Sequence, residues 1–118
     1  MERLLHFVET SVFTKRIGKL ANIETLFALQ NALLENPRRG AVIANTDGAR
    51  KARISNPLEK RGKSGSFRYI YTYFEEVEVI YLLVFYSKNE KDDLTDTEEK
   101  AIKKLIGEIR LNIKERYE

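Results

Sequence analysis

Lys51 and Arg53 stand two residues apart in "GARKARIS", Arg68 is the single charge inside "SFRYIYTYF", and Lys88 closes the apolar run "IYLLVFYSK". Side chains two apart on a β-strand share a face. Lys51 and Arg53 would therefore project together on one side of a strand, with Arg50, Ala52 and Ile54 on the other, core-facing side. Antiparallel pairing with the strands carrying Arg68 and Lys88 would gather four cations on one sheet surface. Such a surface grips a phosphate and stabilises charge that develops on it. RNA brings its own nucleophile, the ribose hydroxyl beside each phosphate, so a cationic surface of this kind suits RNA cleavage without a metal. Arg68 carries the sharpest expectation. An arginine in a stretch otherwise suited to burial costs several kcal/mol unless it faces an anion site or pairs with an acid such as Glu75 or Glu78 across the sheet.

The charge distribution points the same way. From Arg38 to Arg68 nine basic residues meet two acids, a local balance of +7, while the rest of the chain holds twelve basic and sixteen acidic residues, a balance of −4. Clustering of this sort is the footprint of a polyanion partner, most often nucleic acid, and the plain alternative is a solvated charged loop. Lys60, Arg61 and Lys63, in the glycine-punctuated "EKRGKSG", read as a basic hairpin tip that meets backbone phosphate. "GKS" there is not a nucleotide-binding loop, because Pro57 stands where the first glycine belongs and a strand follows where a helix is required.

Other chemistries find little support. The 118 residues contain no cysteine and one histidine, which excludes disulfides and thiolate metal sites and leaves no histidine cluster. No metal and no cofactor are expected. His6 lies in the apolar alternation of a short strand and reads as structural. Tyr69, Tyr71 and Tyr73 share a strand face, with packing as their ordinary role and base stacking as the minority one. The acids of "KNEKDD" lack the alternating pattern and glycine of a calcium loop and belong to a turn before the last helix. The longest apolar run, "VIYLLVFY", is far short of the about 18 residues a membrane span needs. A soluble, cytoplasmic protein without membrane partners is expected.

These residues must be positioned by a small set of elements. "LLHFVE" (4–9) reads as a strand. "TSVFTKRIGKLA" sets Phe13, Ile17, Leu20 and Ala21 at helical spacing behind a Thr or Ser cap, and "NIETLFALQNALLENP" places Ile23, Leu26, Phe27, Leu33 and Leu34 on one helix face between Asn22 and Asn36-Pro37. "RKARIS", "SFRYIYTYF" and "VEVIYLLVFY" read as three meandering antiparallel strands, the last apolar on both faces and so expected at the centre. A capping box from Thr95 to Glu98 opens a helix with Ala101, Ile102, Leu105, Ile106, Ile109 and Ile113 inward. The expected fold is an α+β sandwich in one domain over residues 1–118: a strand and two helices, the three-strand meander, and a C-terminal helix.

"LLENPRRGAVI", "GARKARIS", "GKSGSFRYIYTYF" and "IYLLVFYSKNEKDDL", in this order and spacing, resemble the RelE/HigB-type toxins of bacterial toxin–antitoxin pairs, in the HigB branch. The resemblance implies a RelE-like fold and a ribosome-dependent endoribonuclease that cuts translated mRNA in the decoding site, inhibits translation and is neutralised by a cognate antitoxin. Its basic strand pair carries onto Lys51 and Arg53, its sheet arginine onto Arg68 and its strand-end lysine onto Lys88. Lys51 is then the candidate proton acceptor, Arg53 and Arg68 hold the phosphorane oxygens, and Lys88 assists the leaving oxygen, with the two lysine roles exchangeable. Arg50, Lys60, Arg61, Lys63 and Asn89 are the expected contacts to mRNA and ribosomal RNA. The chain departs from the RelE pattern at Asn89, where that pattern has an arginine, and at Leu94, where it has a tyrosine. Two alternatives stand beside this reading: a ParE-like gyrase-inhibiting toxin, and a non-enzymatic nucleic-acid-binding module. Clustered sheet cations favour the nuclease, and the lack of aromatics within the basic loop disfavours a plain single-strand binder.

Overall fold

Side chains written into the sequence set the helix starts. Thr10 accepts the Phe13 N–H (3.1 Å), and Asn22 accepts the Thr25 N–H (3.1 Å). Thr95 and Glu98 exchange bonds of 2.9 and 3.2 Å in a closed capping box. The computed structural model describes residues 4–57, 67–91 and 93–117. Within them the order is β1 (His6–Glu9), α1 (Ser11–Leu20), α2 (Ile23–Glu35), β2 (Ala41–Val42), β3 (Ala49–Ile54), β4 (Phe67–Phe74), a 3-10 turn (Glu75–Val77), β5 (Val79–Ser87) and α3 (Asp96–Tyr117). No described helix is long and apolar enough to cross a membrane.

The strands form one mixed sheet in the order β1-β5-β4-β3-β2. β1 runs parallel to β5, and the remaining pairs are antiparallel. β5 is interior, as its apolar faces require, but the middle place falls to β4 because the two-residue β2 extends the sheet beyond β3. Between Ile70 and Tyr71 the β4–β5 register shifts, leaving Leu83 as the extra residue on β5. Leu83 and Val84 consequently both contribute to the packing against α3.

Two cores sit on the two faces of the sheet. α1 and α2 supply Phe13, Ile17, Leu29 and Leu33 against Ala52, Tyr69, Tyr71, Ile80, Leu82 and Phe85. α3 supplies Ile102, Ile106, Ile109 and Ile113 against Ala49, Ile70, Phe74, Leu83 and Tyr86. Each buried aliphatic side chain contributes about 1.5–3 kcal/mol. The inward face of α2 differs from expectation: Leu29, Leu33 and Thr25 are buried, whereas Ile23 and Phe27 point outward. Ala101 of α3 is likewise exposed. In both helices the sheet takes a narrower stripe than the run of apolar residues offers.

The segment that delivers β2 and β3 is closely tied. Tyr71 Oη accepts the Gly40 N–H (3.0 Å) and donates to the Pro37 carbonyl (2.7 Å), holding the exit of α2 against the sheet. A Cβ at Gly40 would lie 2.9 Å from both the Lys51 carbonyl oxygen and the Tyr71 ring, so only glycine permits this approach. The β2–β3 turn uses left-handed backbone at Asn45, Asp47 and Gly48. Thr46 Oγ1 closes it by donating to the Ile43 carbonyl (2.7 Å) and accepting the Ala49 N–H (3.1 Å).

Candidate functional site

β3 and β4 pair so that Arg53 stands directly opposite Arg68, and Arg68 stands opposite Tyr86 on β5. Lys51 is two residues back along β3, on the same face as Arg53. Ala41, Lys51, Arg53, Arg68 and Asp93 line an open depression of about 290 Å³. Three of the expected residues are thus brought together. Like charges directly across an antiparallel pair are unfavourable by themselves, and this pair becomes favourable when an anion lies over it. Arg53 is exposed and Arg68 half-buried, with its Nη1 donating to the Phe67 carbonyl at 3.2 Å.

Asp93 is the residue the sequence did not single out. Its Oδ1 accepts from Lys51 Nζ at 2.7 Å, and its side chain is 83% exposed. The Lys51 hydrogen bond, with the attraction of its charge, holds the Asp93 carboxyl below the usual carboxylate range. The loop bearing Asp93 is secured on both sides. Glu90 pairs with Arg16 of α1, and Lys91 pairs with Glu98 while lying 5.2 Å from the centroid of the Tyr86 ring. Glu90 and Glu98 are in turn held low by hydrogen bonds from Arg16 and Lys91 respectively. The only legible sign of Asp93 was its place in an acidic run before a helix cap; its partner is 42 positions away.

The other expected residues take different places. Lys88 and Asn89 are exposed in the turn after β5, where the Asn89 N–H donates to Ser87 Oγ at 3.3 Å. Lys88 is outside the lining of the depression but follows Ser87, the register partner of Phe67, and so lies at the Arg68 end of the sheet. Arg50 leaves the opposite face of β3 and donates Nη1 to the carbonyls of Arg38 (3.0 Å) and Gly40 (2.7 Å). Lys60, Arg61 and Lys63 lie outside the described residues. Leu94 packs at the margin of the α3 core. His6 is exposed on edge strand β1, with β5 and β4 between it and β3. Tyr69 and Tyr71 are fully buried and unavailable for base stacking; burial raises both phenols above their ordinary range. Glu75 pairs with Arg38, and Glu78 lies at 3.5 Å from the Tyr73 hydroxyl.

The model of the family described as the RelE toxin of the RelE/RelB toxin–antitoxin system matches residues 12–116. The chain belongs to the RelE toxin family. It is a RelE-type toxin of a toxin–antitoxin system. Among solved structures it is similar to an Escherichia coli RelE toxin, an arginine double mutant in the free state, at 17% identity and a TM-score of 0.54, covering 78% of this chain and 90% of that one. At that identity the likeness is one of fold, with the α+β arrangement shared. The family match spans residues 12–116 and so takes in Lys51, Arg53 and Arg68; the side-chain chemistry there is read from this toxin's own residues.

Proposed function

We propose that this RelE-family toxin is an mRNA endoribonuclease of the HigB branch, acting in the cytoplasm on mRNA held by the ribosome and neutralised by a cognate antitoxin. The observation that carries the reading is the cross-strand Arg53–Arg68 pair, with Lys51 beside it, lining one open depression. A phosphodiester seated there is met by three cations. The neighbouring ribose hydroxyl attacks phosphorus in line, Arg53 and Arg68 take the oxygens on which charge accumulates, and Lys88 beyond β5 assists the departing oxygen. Lys51 completes the phosphate seat. Asn89 and the loop cations Lys60, Arg61 and Lys63 contact RNA backbone, a sequence-independent and salt-sensitive contribution, whereas Arg50 is turned to the other face of β3 and takes no part.

This chemistry needs no metal. It depends on geometry supplied from outside, because cations alone do not hold a flexible strand in line, and the ribosome fixes the mRNA path. Free mRNA is therefore a poor substrate. The test is induction of the toxin in growing cells with mapping of mRNA 5′ ends, paired with cleavage of the same message on purified ribosomes and free in solution. New ends inside translated codons, reproduced only on ribosomes, are expected. Rapid cleavage of naked mRNA at the same codons overturns ribosome dependence, and intact mRNA with inhibited DNA supercoiling would assign the toxin to gyrase.

A further inference from the structure

In-line attack on a phosphodiester requires a group that takes the proton of the attacking hydroxyl, and the cationic corner offers few. A guanidinium does not release its proton under protein conditions, so Arg53 and Arg68 act only as donors. The Lys51 ammonium is already donating to a carboxylate. His6 is on the far side of the sheet order. Of the described side chains lining the depression, Asp93 is the one that is an acceptor and nothing else while ionised.

Resting on the endoribonuclease reading, we propose that Asp93 is a catalytic residue of this toxin, the general base that accepts the ribose 2′-hydroxyl proton, with Lys51 as the side chain that positions it. Three observations carry it. Asp93 lines the same depression as Arg53 and Arg68, so a phosphate held by the arginines places its ribose within the reach of the carboxylate. The 2.7 Å bond from Lys51 fixes the carboxylate at the rim, and its exposure leaves it accessible to substrate. The same bond holds the carboxyl below the usual carboxylate range, which makes it an ionised but weak base, suited to the lower end of general-base contributions.

The step balances without a further reactant. The proton leaves O2′ for an Asp93 carboxylate oxygen as the O2′–P bond forms. The P–O5′ bond then breaks, and O5′ takes a proton from Lys88 or water. The products are a 2′,3′-cyclic phosphate and a 5′-hydroxyl end, and Asp93 returns its proton to solvent.

Asp93→Asn keeps an acceptor for Lys51 but cannot take the proton. On ribosomes programmed with a message that the wild-type toxin cuts, single-turnover cleavage at saturating toxin should fall about a hundredfold, with ribosome affinity and melting temperature unchanged. Asp93→Glu should recover part of the rate. A message with sulfur replacing the scissile 5′ oxygen, a better leaving group, should leave the Asn defect in place, since the lost group serves the nucleophile. Unchanged or faster cleavage by Asp93→Asn overturns the proposal and makes Asp93 a counterion that competes with phosphate. So does full rescue by the sulfur leaving group, which would put Asp93 on the leaving side. A wild-type toxin that fails to cut the programmed message overturns the endoribonuclease reading itself, and the proposal with it.

Discussion

Strand β4 meets two environments along one face. Ile70 and Phe74 lie under α3 with Leu83, Ile102, Ile106 and Ile109 and are fully buried or nearly so, whereas Arg68, two residues before Ile70, emerges beside Arg53 in an open depression. The alternation is continuous and the backbone is the same strand; among the described residues it is the helix cover that differs. Where α3 covers the sheet, side chains contribute stability; where it does not, two like charges stand opposed at some cost to stability. The contrast with other cations is equally telling. Arg16 and Arg38 have carboxylate partners, and Arg110 lies over Phe74 while donating to the Asp47 carbonyl at 2.9 Å. Those arginines hold elements together, whereas Arg53 and Arg68 line the open depression.

The covered half should be the more sensitive to truncation. Ile106→Ala removes a fully buried side chain and should lower unfolding free energy by about 2–5 kcal/mol, read by denaturant melts. Cleavage should stay proportional to folded toxin. A change of under about 0.5 kcal/mol would mean that α3 is not seated as described. At the boundary between the halves, Gly40→Ala drives a Cβ against the Lys51 carbonyl and the Tyr71 ring, costing about 1–3 kcal/mol through overpacking. Because the clash falls on the backbone of Lys51, the rate per folded molecule should drop as well. Loss of stability with full specific activity would separate the β2 segment from the site.

Much of this division was legible in the sequence, and its failures have physical causes. The caps at Thr10, Asn22 and Thr95 and the alternation of β3, β4 and β5 are local, so the helices and the meander could be read directly. Arg68 stood out because the same alternation marked its neighbours for burial. The parallel pairing of β1 with β5 joins residues more than 70 positions apart and leaves no periodic trace, as with His6 opposite Val79. Two-residue β2 is too short for a pattern. Ile23 and Phe27 were misplaced because an apolar residue on a helix does not reveal how wide a stripe the sheet will cover. Asp93 was read as one turn acid among several, since its bond to Lys51 depends on tertiary packing alone.

Acid sharpens the comparison more gently. Asp93, Glu90 and Glu98 all have carboxyls held low by cationic donors, so their contribution is present above the ordinary carboxylate range and lost as pH falls through their depressed values. As pH falls below the ordinary carboxylate range the segment bearing Glu90 and Lys91 should lose hydrogen-exchange protection before the α3 core does. Simultaneous loss would show that these pairs are not confined to the open half. The smallest effect on the fold is expected from replacing Lys60, Arg61 and Lys63 together by alanine. Melting should not change, while ribosome binding weakens and its salt dependence flattens. Unaltered salt sensitivity would make that loop merely solvated.

Arg68 is proposed to serve chemistry and not the fold, and one preparation of Arg68→Ala decides it. The variant should melt at or above the wild-type temperature, because it relieves the opposition to Arg53, and should lose about 3 kcal/mol of transition-state stabilisation, on the order of a hundredfold in ribosome-programmed cleavage. A variant that melts several degrees lower yet cuts in proportion to its folded fraction would contradict the account and return Arg68 to the scaffold.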